Sequence, residues 1–344
     1  MGVSFLMLIS CVSNQQTAEM TTKSVELPAV TSALQIIHAE RHNSGGFSAL
    51  WVSPNCSDLV TISDYSQARD DILDQPVRRS GWYQAKLHFD KHDRLNQLAF
   101  IDRGQLKDLD AGTLQGAVES MAWNSRGFVV SFDDSGIIYQ YEKTGSSAGF
   151  GIADTLNSIP VVAYTQDDFG HGNLGLESIT LLHDGDLLAL WETKFDGMPA
   201  MGRLLKLDGS QLDLTYFTGA SPGGATTLSD GSLLILEKRW LGVAKGQRLR
   251  LVRINPSDIS KTKLEQEISG EVLLDQISTL YDNNEGIASC VRDGKEWIFV
   301  ITDDNGDWNR ANVEDKGHTR QRTLLLQFSL DELIVKQRES LIEH

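Results

Sequence analysis

The sequence predicts an all-β protein built as a single β-propeller. Three observations carry this prediction. A unit of two apolar strands joined by a short turn recurs along the 344 residues. Its copies are spaced by roughly 50 to 70 residues, and few segments have the apolar spacing of a helix. Four copies are followed by two further strand-like runs and the last copy by one, so five blades, the last completed by an N-terminal strand, account for the chain, with six blades as the alternative.

The clearest copy of the unit combines a glycine-bearing start with a tight turn. Residues 173–180 lead into one apolar strand, residues 184–186 (Asp-Gly-Asp) reverse the chain, and residues 187–192 form the second strand. Asp-Gly between two hydrophobic runs is a strong hairpin signal. The start of one hairpin strand lies beside the end of the other, so we expect Glu177 and Glu192 to be close together.

The other four copies keep this pattern in weaker form. Alignment of the five copies puts one residue of each in register, and these residues are Ser48, Glu119, Glu177, Ala225 or Thr226, and Glu285. A repeat of this length, with several strands in each copy, is typical of propeller blades.

The repeat sets the predicted boundaries of the propeller, residues 34–330. The last copy has three clear strands, at 286–291, 296–302 and 322–329, and a strand at 34–39 would complete it. Such a strand closes the ring and removes its open edges. Before the propeller we expect a polar tether over 12–33, and after it a charged tail over 331–344 that forms a short surface helix. We expect the protein to be a monomer.

The first eleven residues predict export. Residues 5–9 are an apolar run too short to span a membrane, and residues 8–11 (Leu-Ile-Ser-Cys) are similar to a bacterial lipobox, in which Cys11 would be lipidated. The segment departs from that pattern because no Lys or Arg precedes the apolar run. The expected location is the bacterial periplasm, either free after cleavage of an ordinary signal or bound to the membrane only through the N-terminal lipid.

Charge and cysteine content narrow the function further. The formal net charge of −16 argues against nucleic-acid binding, which needs a basic surface. It is compatible with cation binding and with plain solubility. The three cysteines match no zinc spacing. A closed ring makes the units of Cys56 and Cys290 neighbours, so these residues form either a disulfide or two partly buried thiols.

Acidic residues gather at one predicted mouth of the ring. The first strand of each propeller blade lines the central channel, so first-strand starts and second-strand ends meet at one opening. The acidic residues placed there are Glu119, Glu177, Glu285, Asp64, Asp133, Glu192, Glu237, Asp303 and Asp304. Crowded carboxylates bind a cation or take up protons, and an all-oxygen set favours Ca²⁺. The alternative is that each one caps a turn by accepting backbone N–H groups.

Basic residues follow several of these acids. Lys238 and Arg239 come directly after Glu237, and Arg322 ends the long loop that separates the last two strands of the final copy. Arginines beside a divalent cation are typical of phosphate-binding sites. The alternative for each is a solvated surface charge. The sequence contains neither a P-loop nor a Gly-x-Ser-x-Gly nucleophile elbow.

Several motifs resemble the bacterial phytase-like family, described as "esterase-like activity of phytase". The resemblance covers about residues 40–330, and its motifs lie at residues 45–50 with 63–64, 175–179, 233–239, 284–288, and 302–305 followed by 321–328. It implies an exported β-propeller-like protein that hydrolyses phosphoesters or carboxylesters. This chain departs from the family in having Phe47 where leucine is usual, and in a longer loop over 306–320.

The lead functional hypothesis is an exported, cation-dependent hydrolase of phosphate esters. The residues expected to hold Ca²⁺ are Glu119, Glu177, Glu285 and Asp303, with Glu177 also in catalysis. Arg239 and Arg322 would orient the phosphate. The residues expected to contact the substrate are Asp64, Glu192, Glu237, Lys238, Asp304 and Asn305. One alternative is a non-catalytic, lipid-anchored propeller that binds a partner or small ligand; another is a lactone or carboxylester hydrolase with a central calcium.

Overall fold

The computed structural model describes most of the chain outside the N-terminus and several loops. The described residues are 20–27, 30–38, 45–70, 75–106, 118–132, 137–144, 149–160, 175–193, 198–242, 244–259, 267–279, 283–303 and 322–342. Cys11, Asp304 and Asn305 lie outside them, as does the side chain of Asp64. Within the described part, no helix has the length and apolar character needed to cross a membrane.

The strands form five sheets, and two strands precede the first of these blades. These two strands are β1 (Met20–Val25) and β2 (Ser32–His38). Blade 1 contains β3 (Gly45–Val52), β4 (Asp58–Asp70), β5 (Gln75–Phe89) and β6 (Leu95–Gln105). Blade 2 contains β7 (Val118–Asn124), β8 (Gly127–Phe132), β9 (Ile137–Thr144) and β10 (Gly149–Pro160).

The remaining three blades follow the same antiparallel order. Blade 3 contains β11 (Ser178–Leu181), β12 (Leu187–Leu190), β13 (Ala200–Leu205) and β14 (Gln211–Tyr216). Blade 4 contains β15 (Ser221–Thr227), β16 (Leu233–Trp240) and β17 (Gln247–Ile254). The short β18 (Glu267–Ile268) then pairs in parallel with β14, and β19 (Glu271–Ser278) completes blade 4. Blade 5 contains β20 (Asn283–Arg292), β21 (Lys295–Asp303) and β22 (Leu324–Ser329) with β2 and β1.

The five blades close into a ring, which confirms the predicted all-β, five-bladed propeller. The inner strands β3, β7, β11, β15 and β20 each contact the next, and β20 contacts β3. The predicted N-terminal closing strand is β2, which pairs antiparallel with β22 from Ser32↔Gln327 to Gln35↔Leu324. Both faces of a blade are therefore covered by neighbours, and one apolar cluster lies between each adjacent pair of blades.

The N-terminal stretch departs from the sequence-based expectation. The polar tether expected over 12–33 contains β1, whose register with β2 runs from Met20↔His38 to Val25↔Ala33. Polar side chains are compatible with an edge strand because the backbone ladder, rather than side-chain burial, holds it in place. Residues 66–70 and 75–79 extend the β4–β5 hairpin beyond its first part.

The chain ends in a helix that packs against the ring. This helix, α1 (Leu330–Ile342), lies within the expected charged tail and carries Asp331 and Glu332 in its first turn, where acidic side chains favour the helix dipole. Leu330 and Leu333 are buried in the apolar cluster between blades 4 and 5.

A disulfide joins the first and last blades. Cys56, in the β3–β4 turn, is bonded to Cys290 of β20, with the two Cα atoms 5.4 Å apart. Of the two alternatives left by the sequence, the structure therefore has the bridge. Its ends are 234 residues apart in sequence, so it constrains a long loop of the unfolded chain as well as closing the ring.

Candidate functional site

A β-bulge recurs at the start of the inner strands. In β3, β7, β15 and β20 one residue is left out of the pairing with the second strand, and these residues are Ser48, Glu119, Gly223 and Glu285. In blade 3, Glu177 directly precedes the first paired residue, Ser178. Bulges re-aim a side chain away from the regular ladder, and here they do so at one end of the channel.

The bulge corrects the sequence alignment in blade 4. The residue in register with the glutamates is Gly223, rather than Ala225 or Thr226. A Cβ at Gly223 would lie 2.8 Å from Cδ of Lys238, so only glycine leaves room for that lysine. A residue that sequence reasoning overlooked is thus what lets Lys238 enter the site.

Hydrogen bonds between blades 2 and 3 fix the backbone around Glu177. The Ser131 hydroxyl donates to the carbonyl of Leu176 at 2.9 Å, and the N–H of Ile179 donates to the Ser120 hydroxyl at 3.1 Å. These bonds bracket Glu177 on both sides along the chain. The glutamate is therefore held by its neighbours rather than by a loose turn.

The three register glutamates meet at this mouth and form what we call the carboxylate cluster: Glu119, Glu177 and Glu285. One carboxylate oxygen from each lies within 4.8 Å of those of the other two. Glu177 and Glu285 are both 6 % exposed, and Glu119 is half-buried. Carboxylates this close and this shielded repel one another unless protons or cations are bound.

Lys238 of β16 supplies one such cation. Its Nζ lies 3.1 Å from Oε2 of Glu177 and forms an ion pair with Oε2 of Glu285. The contact with Glu177 is an ion pair without hydrogen-bond geometry, and Oε2 of Glu177 accepts no hydrogen bond within the described part of the chain. One carboxylate oxygen at the centre of the site is therefore held by an ion pair alone.

Burial and charge shift the pKa values in this group. Burial works to lower the pKa of Lys238, but the carboxylates of Glu177, Glu285 and Glu192 outweigh it and hold that pKa well above its usual range. Burial raises the pKa of Glu285 to about 7, with Glu177 adding to the rise and Lys238 opposing it. The lysine therefore stays charged, while Glu285 titrates near neutral pH.

An amide pair supports Glu285 from the side. Asn283 Nδ2 donates to Oε1 of Glu285, and Gln247 Nε2 donates to Oδ1 of Asn283 at 3.1 Å. These two residues were missed by sequence reasoning. The available signal was the position of Asn283, two residues before a register glutamate.

Glu237 and Arg239 belong to the other face of β16. Consecutive strand residues point to opposite faces, so the side chains on either side of Lys238 leave the cluster. The Tyr216 hydroxyl donates to Oε1 of Glu237 at 2.7 Å, and Arg250 forms an ion pair with Oε2. Glu237, expected to contact substrate, is fully buried in this separate network.

The other predicted residues lie around the cluster. Glu192 N–H donates to the Gly175 carbonyl at 3.1 Å, and the Glu192 carboxylate is close enough to raise the pKa of Lys238. Asp303, expected to bind the metal, is buried opposite Asn283 in the ladder of β20 and β21 and is not one of the three clustered carboxylates. The carbonyl of Arg322 accepts a hydrogen bond of 2.8 Å from Thr302.

The carboxylate cluster together with Lys238 could bind either a cation or a phosphate group. Among the described residues, one ammonium group pairs with two of the three carboxylates, so with these groups ionised they carry an excess of negative charge. Hard divalent cations prefer carboxylate oxygens, whereas an ammonium on a flexible stem can pair with phosphate. The fold and the cluster define a five-bladed β-propeller with a charged mouth.

The chain belongs to the phytase-like family, described as esterase-like activity of phytase. The family model matches residues 42–306, which is more than half of the chain. The match includes the three glutamates of the cluster and Lys238. No curated protein sequence matches the chain.

Solved structures with a similar chain path have low sequence identity. A luciferin-regenerating enzyme is 10% identical with a TM-score of 0.43, covering 84% of this chain and 94% of its own. A sialidase from Trypanosoma rangeli is 10% identical with a TM-score of 0.44, covering 91% of this chain and 52% of its own, so this chain spans about half of that protein. The allergen Mala s 1 from Malassezia sympodialis is 12% identical with a TM-score of 0.40, covering 90% and 89%.

Proposed function

We propose that this protein is a hydrolase of phosphate esters that uses a divalent cation, with Ca²⁺ as the first choice, at the carboxylate cluster. The observation that carries the proposal is the approach of Glu119, Glu177 and Glu285 to within 4.8 Å of one another. Membership of the phytase-like family supports the class of reaction.

The donor set fits a hard cation, with one condition. All three side chains offer oxygen, and Oε2 of Glu177 accepts no hydrogen bond from the described residues. Lys238, however, already contacts Glu177 and Glu285. A cation at the centre therefore requires the ammonium to move aside, which a four-carbon stem allows.

The roles of the chain's own residues follow from this geometry. Glu119, Glu177 and Glu285 would hold the cation, which supplies Lewis acidity and a more acidic bound water. Lys238, moved from between the carboxylates, would bind a phosphate oxygen of the substrate. Asn283 keeps Glu285 oriented, and Arg322 is the arginine proposed to contact the phosphate. Arg239 lies on the opposite face of β16 from Lys238 and has no place in this version of the site.

Two alternatives use the same cluster. The ion pairs of Lys238 with Glu177 and Glu285 favour a ring-stabilising role, in which the protein is a binding scaffold without catalysis. The family description names an esterase-like activity, which favours a carboxylester or lactone as substrate. The alternatives use the same site as the lead proposal and differ from it in which ester, if any, the protein hydrolyses.

The test measures bound metal and turnover on the same protein. Purified protein is assayed for stoichiometric metal, then for phosphomonoester and carboxylester hydrolysis after chelation and after return of Ca²⁺. We expect chelator-sensitive phosphate release that Glu177→Gln abolishes. The matched control is Glu142→Gln, because Glu142 is exposed on blade 2.

The possible results separate the three functions. Bound metal without turnover of either ester favours the scaffold, and carboxylester turnover alone favours the esterase. Absence of bound metal together with full activity in chelator would refute the cation-dependent mechanism.

We also propose that the protein works outside the cytoplasm of a bacterium, held to a membrane through a lipid on Cys11. The Cys56–Cys290 disulfide supports this location because such bonds persist in oxidising compartments. Metabolic labelling with a fatty acid tests it. Label should appear in the wild type and be absent from Cys11→Ser.

A further inference from the structure

A second concave feature occupies the opposite end of the central channel. It is a cavity of about 340 Å³ lined by the later residues of all five inner strands, among them Trp51, Met121, Thr180, Thr226 and Ser289. The carboxylate cluster lies where these strands begin and does not line the cavity. Its volume is at the lower end of the range for small-molecule sites, about 300–1,000 Å³.

One side of this channel cavity is aromatic and apolar. Trp51 of blade 1 and Trp123 of blade 2 line it, with their ring centroids 5.2 Å apart and an interplanar angle of 32°. Each also packs edge-on against Phe128, which holds the indoles in place. Neither tryptophan is fully buried, so indole surface is left for a ligand.

The other side carries a network of hydroxyl groups from blades 3, 4 and 5. Thr227 donates to the carbonyl of Leu181 at 2.6 Å, so the 3.2 Å contact between Thr180 and Thr227 uses the proton of Thr180. Ser289 donates to the carbonyl of Thr227 at 3.1 Å, so the 3.4 Å contact between Thr226 and Ser289 uses the proton of Thr226.

This network determines what a ligand must bring. A hydroxyl has one proton and two acceptor lone pairs, and all four protons are already used within the protein. What remains toward the cavity is acceptor capacity, so a matching ligand supplies O–H donors. Among the described residues that line the cavity there is no lysine or arginine, and Glu296 already accepts two 2.8 Å bonds from Ser229. His183 is the one basic side chain among the described residues of the lining, so an anionic phosphate ester would find neither lysine nor arginine to pair with here.

We propose that the channel cavity is a binding site for a neutral sugar ring, separate from the carboxylate cluster. The C–H face of a ring with equatorial hydroxyls stacks on an indole, and its hydroxyl edge donates to the threonine and serine oxygens. The walls of the cavity are divided in the same way, with indoles on one side and acceptors on the other.

The experiment titrates the full protein with methyl β-D-glucopyranoside by calorimetry and by saturation-transfer NMR. Cyclohexanol, a ring of similar size with a single hydroxyl, is the matched probe. We expect saturable binding of the glucoside that chelator does not change. Binding of cyclohexanol but not of the glucoside would refute the sugar, and so would no saturable binding of the glucoside at concentrations on the order of 10 mM.

Two variants test the two walls independently. Thr226→Val removes one hydroxyl at nearly constant volume and should weaken binding about fivefold, the effect of one hydrogen bond. Trp123→Leu should weaken it by at least about tenfold. The controls are Thr215→Val on β14 and Trp240→Leu on β16, both outside the cavity lining. Thr226→Val leaves the apolar core intact, so it remains a valid test even if Trp123→Leu fails to fold. Unchanged affinity of Thr226→Val for the glucoside would overturn the assignment.

Discussion

Glu237 and Lys238 are consecutive buried residues of β16, yet they enter two groups that differ in charge balance. On one face, Glu237 pairs with Arg250, whose Nε lies 3.1 Å from Asp275, and Asp275 pairs with Arg248 at 2.7 Å. We call this set the balanced network, because two carboxylates face two guanidinium groups. On the other face, the ammonium of Lys238 forms ion pairs with Glu177 and Glu285, two of the three carboxylates of the cluster.

The difference separates a structural role from a functional one. Buried ions are tolerated when each is paired, and an unpaired one is costly. In the balanced network each charge has a partner of opposite sign, which explains why Glu237 can be fully buried. The carboxylate cluster keeps an excess of negative charge that a bound cation would relieve. Acidic residues at equivalent strand ends are therefore not equivalent: those of the carboxylate cluster can bind a cation, whereas Glu237 is already neutralised by Arg250.

Removal of the lysine should have the largest effect. Without its ammonium, Lys238→Met leaves the buried carboxylates without a counter-charge, so in chelator the free energy of unfolding should fall by about 5 kcal/mol. Millimolar Ca²⁺ should restore most of the loss by binding in its place. Urea unfolding in both conditions measures this, and an equal loss with and without Ca²⁺ would contradict cation binding at the cluster.

The matching change in the balanced network should be smaller and independent of metal. Arg250→Met leaves Glu237, among the described residues, with only the Tyr216 hydroxyl, so we expect a loss of about 3 kcal/mol in unfolding free energy. Ca²⁺ should not restore it. The double variant Glu237→Gln/Arg250→Met should recover part of the loss, because it also removes the unpaired carboxylate charge. Recovery of the stability of Arg250→Met by Ca²⁺ would contradict the distinction between the two groups.

Neutralising one cluster carboxylate should affect binding more than stability. Glu177→Gln removes one ion pair of Lys238 and, at the same time, the repulsion between Glu177 and Glu285; these effects offset, so unfolding free energy in chelator should change by less than about 1 kcal/mol. Affinity for Ca²⁺ should fall at least about tenfold, because one of three charged ligands is lost. Calorimetric titration measures the affinity, with Glu237→Gln as the control expected to bind Ca²⁺ like the wild type.

The sequence predicted the ring because propeller repeats are local patterns. Each blade has its own turns and apolar runs, and the closing strand β2 buries Ala33, Leu34 and Ile36 in the apolar clusters on its two sides. The edge strands β1 and β18 escaped prediction. They are short or polar, and only tertiary pairing with β2 and β14 orders them.

The candidate site was predictable in part for the same reason. Glu119, Glu177 and Glu285 share a repeat position, so alignment alone brought them together. The direction of Lys238 was not predictable, because it depends on strand alternation and on the bulge at Gly223. Sequence order says that Glu237 and Lys238 are neighbours, but not which of them faces the channel mouth.

The pH dependence of stability should have opposite signs in the two groups. In the carboxylate cluster, the pKa of Glu285 is raised from 4.5 to about 7, chiefly by burial, so the folded protein binds an extra proton between these pH values. Its contribution to stability is therefore present at low pH and lost as pH rises toward 7. In the balanced network, burial works to raise the pKa of Asp275, but Arg248 and Arg250 outweigh it and lower that pKa. Its contribution is lost as pH falls below the usual carboxylate range.

Urea midpoints measured in chelator from pH 3 to pH 8 separate the acid and neutral parts of this pH dependence. Glu285→Gln should flatten the decline between about pH 5 and 7, because its amide does not titrate. Asp275→Asn should flatten the acid limb and leave the neutral range unchanged. If Glu285→Gln leaves the neutral limb as steep as in the wild type, the excess charge of the cluster is being relieved by another group, and Glu285 is not the residue that takes up the proton.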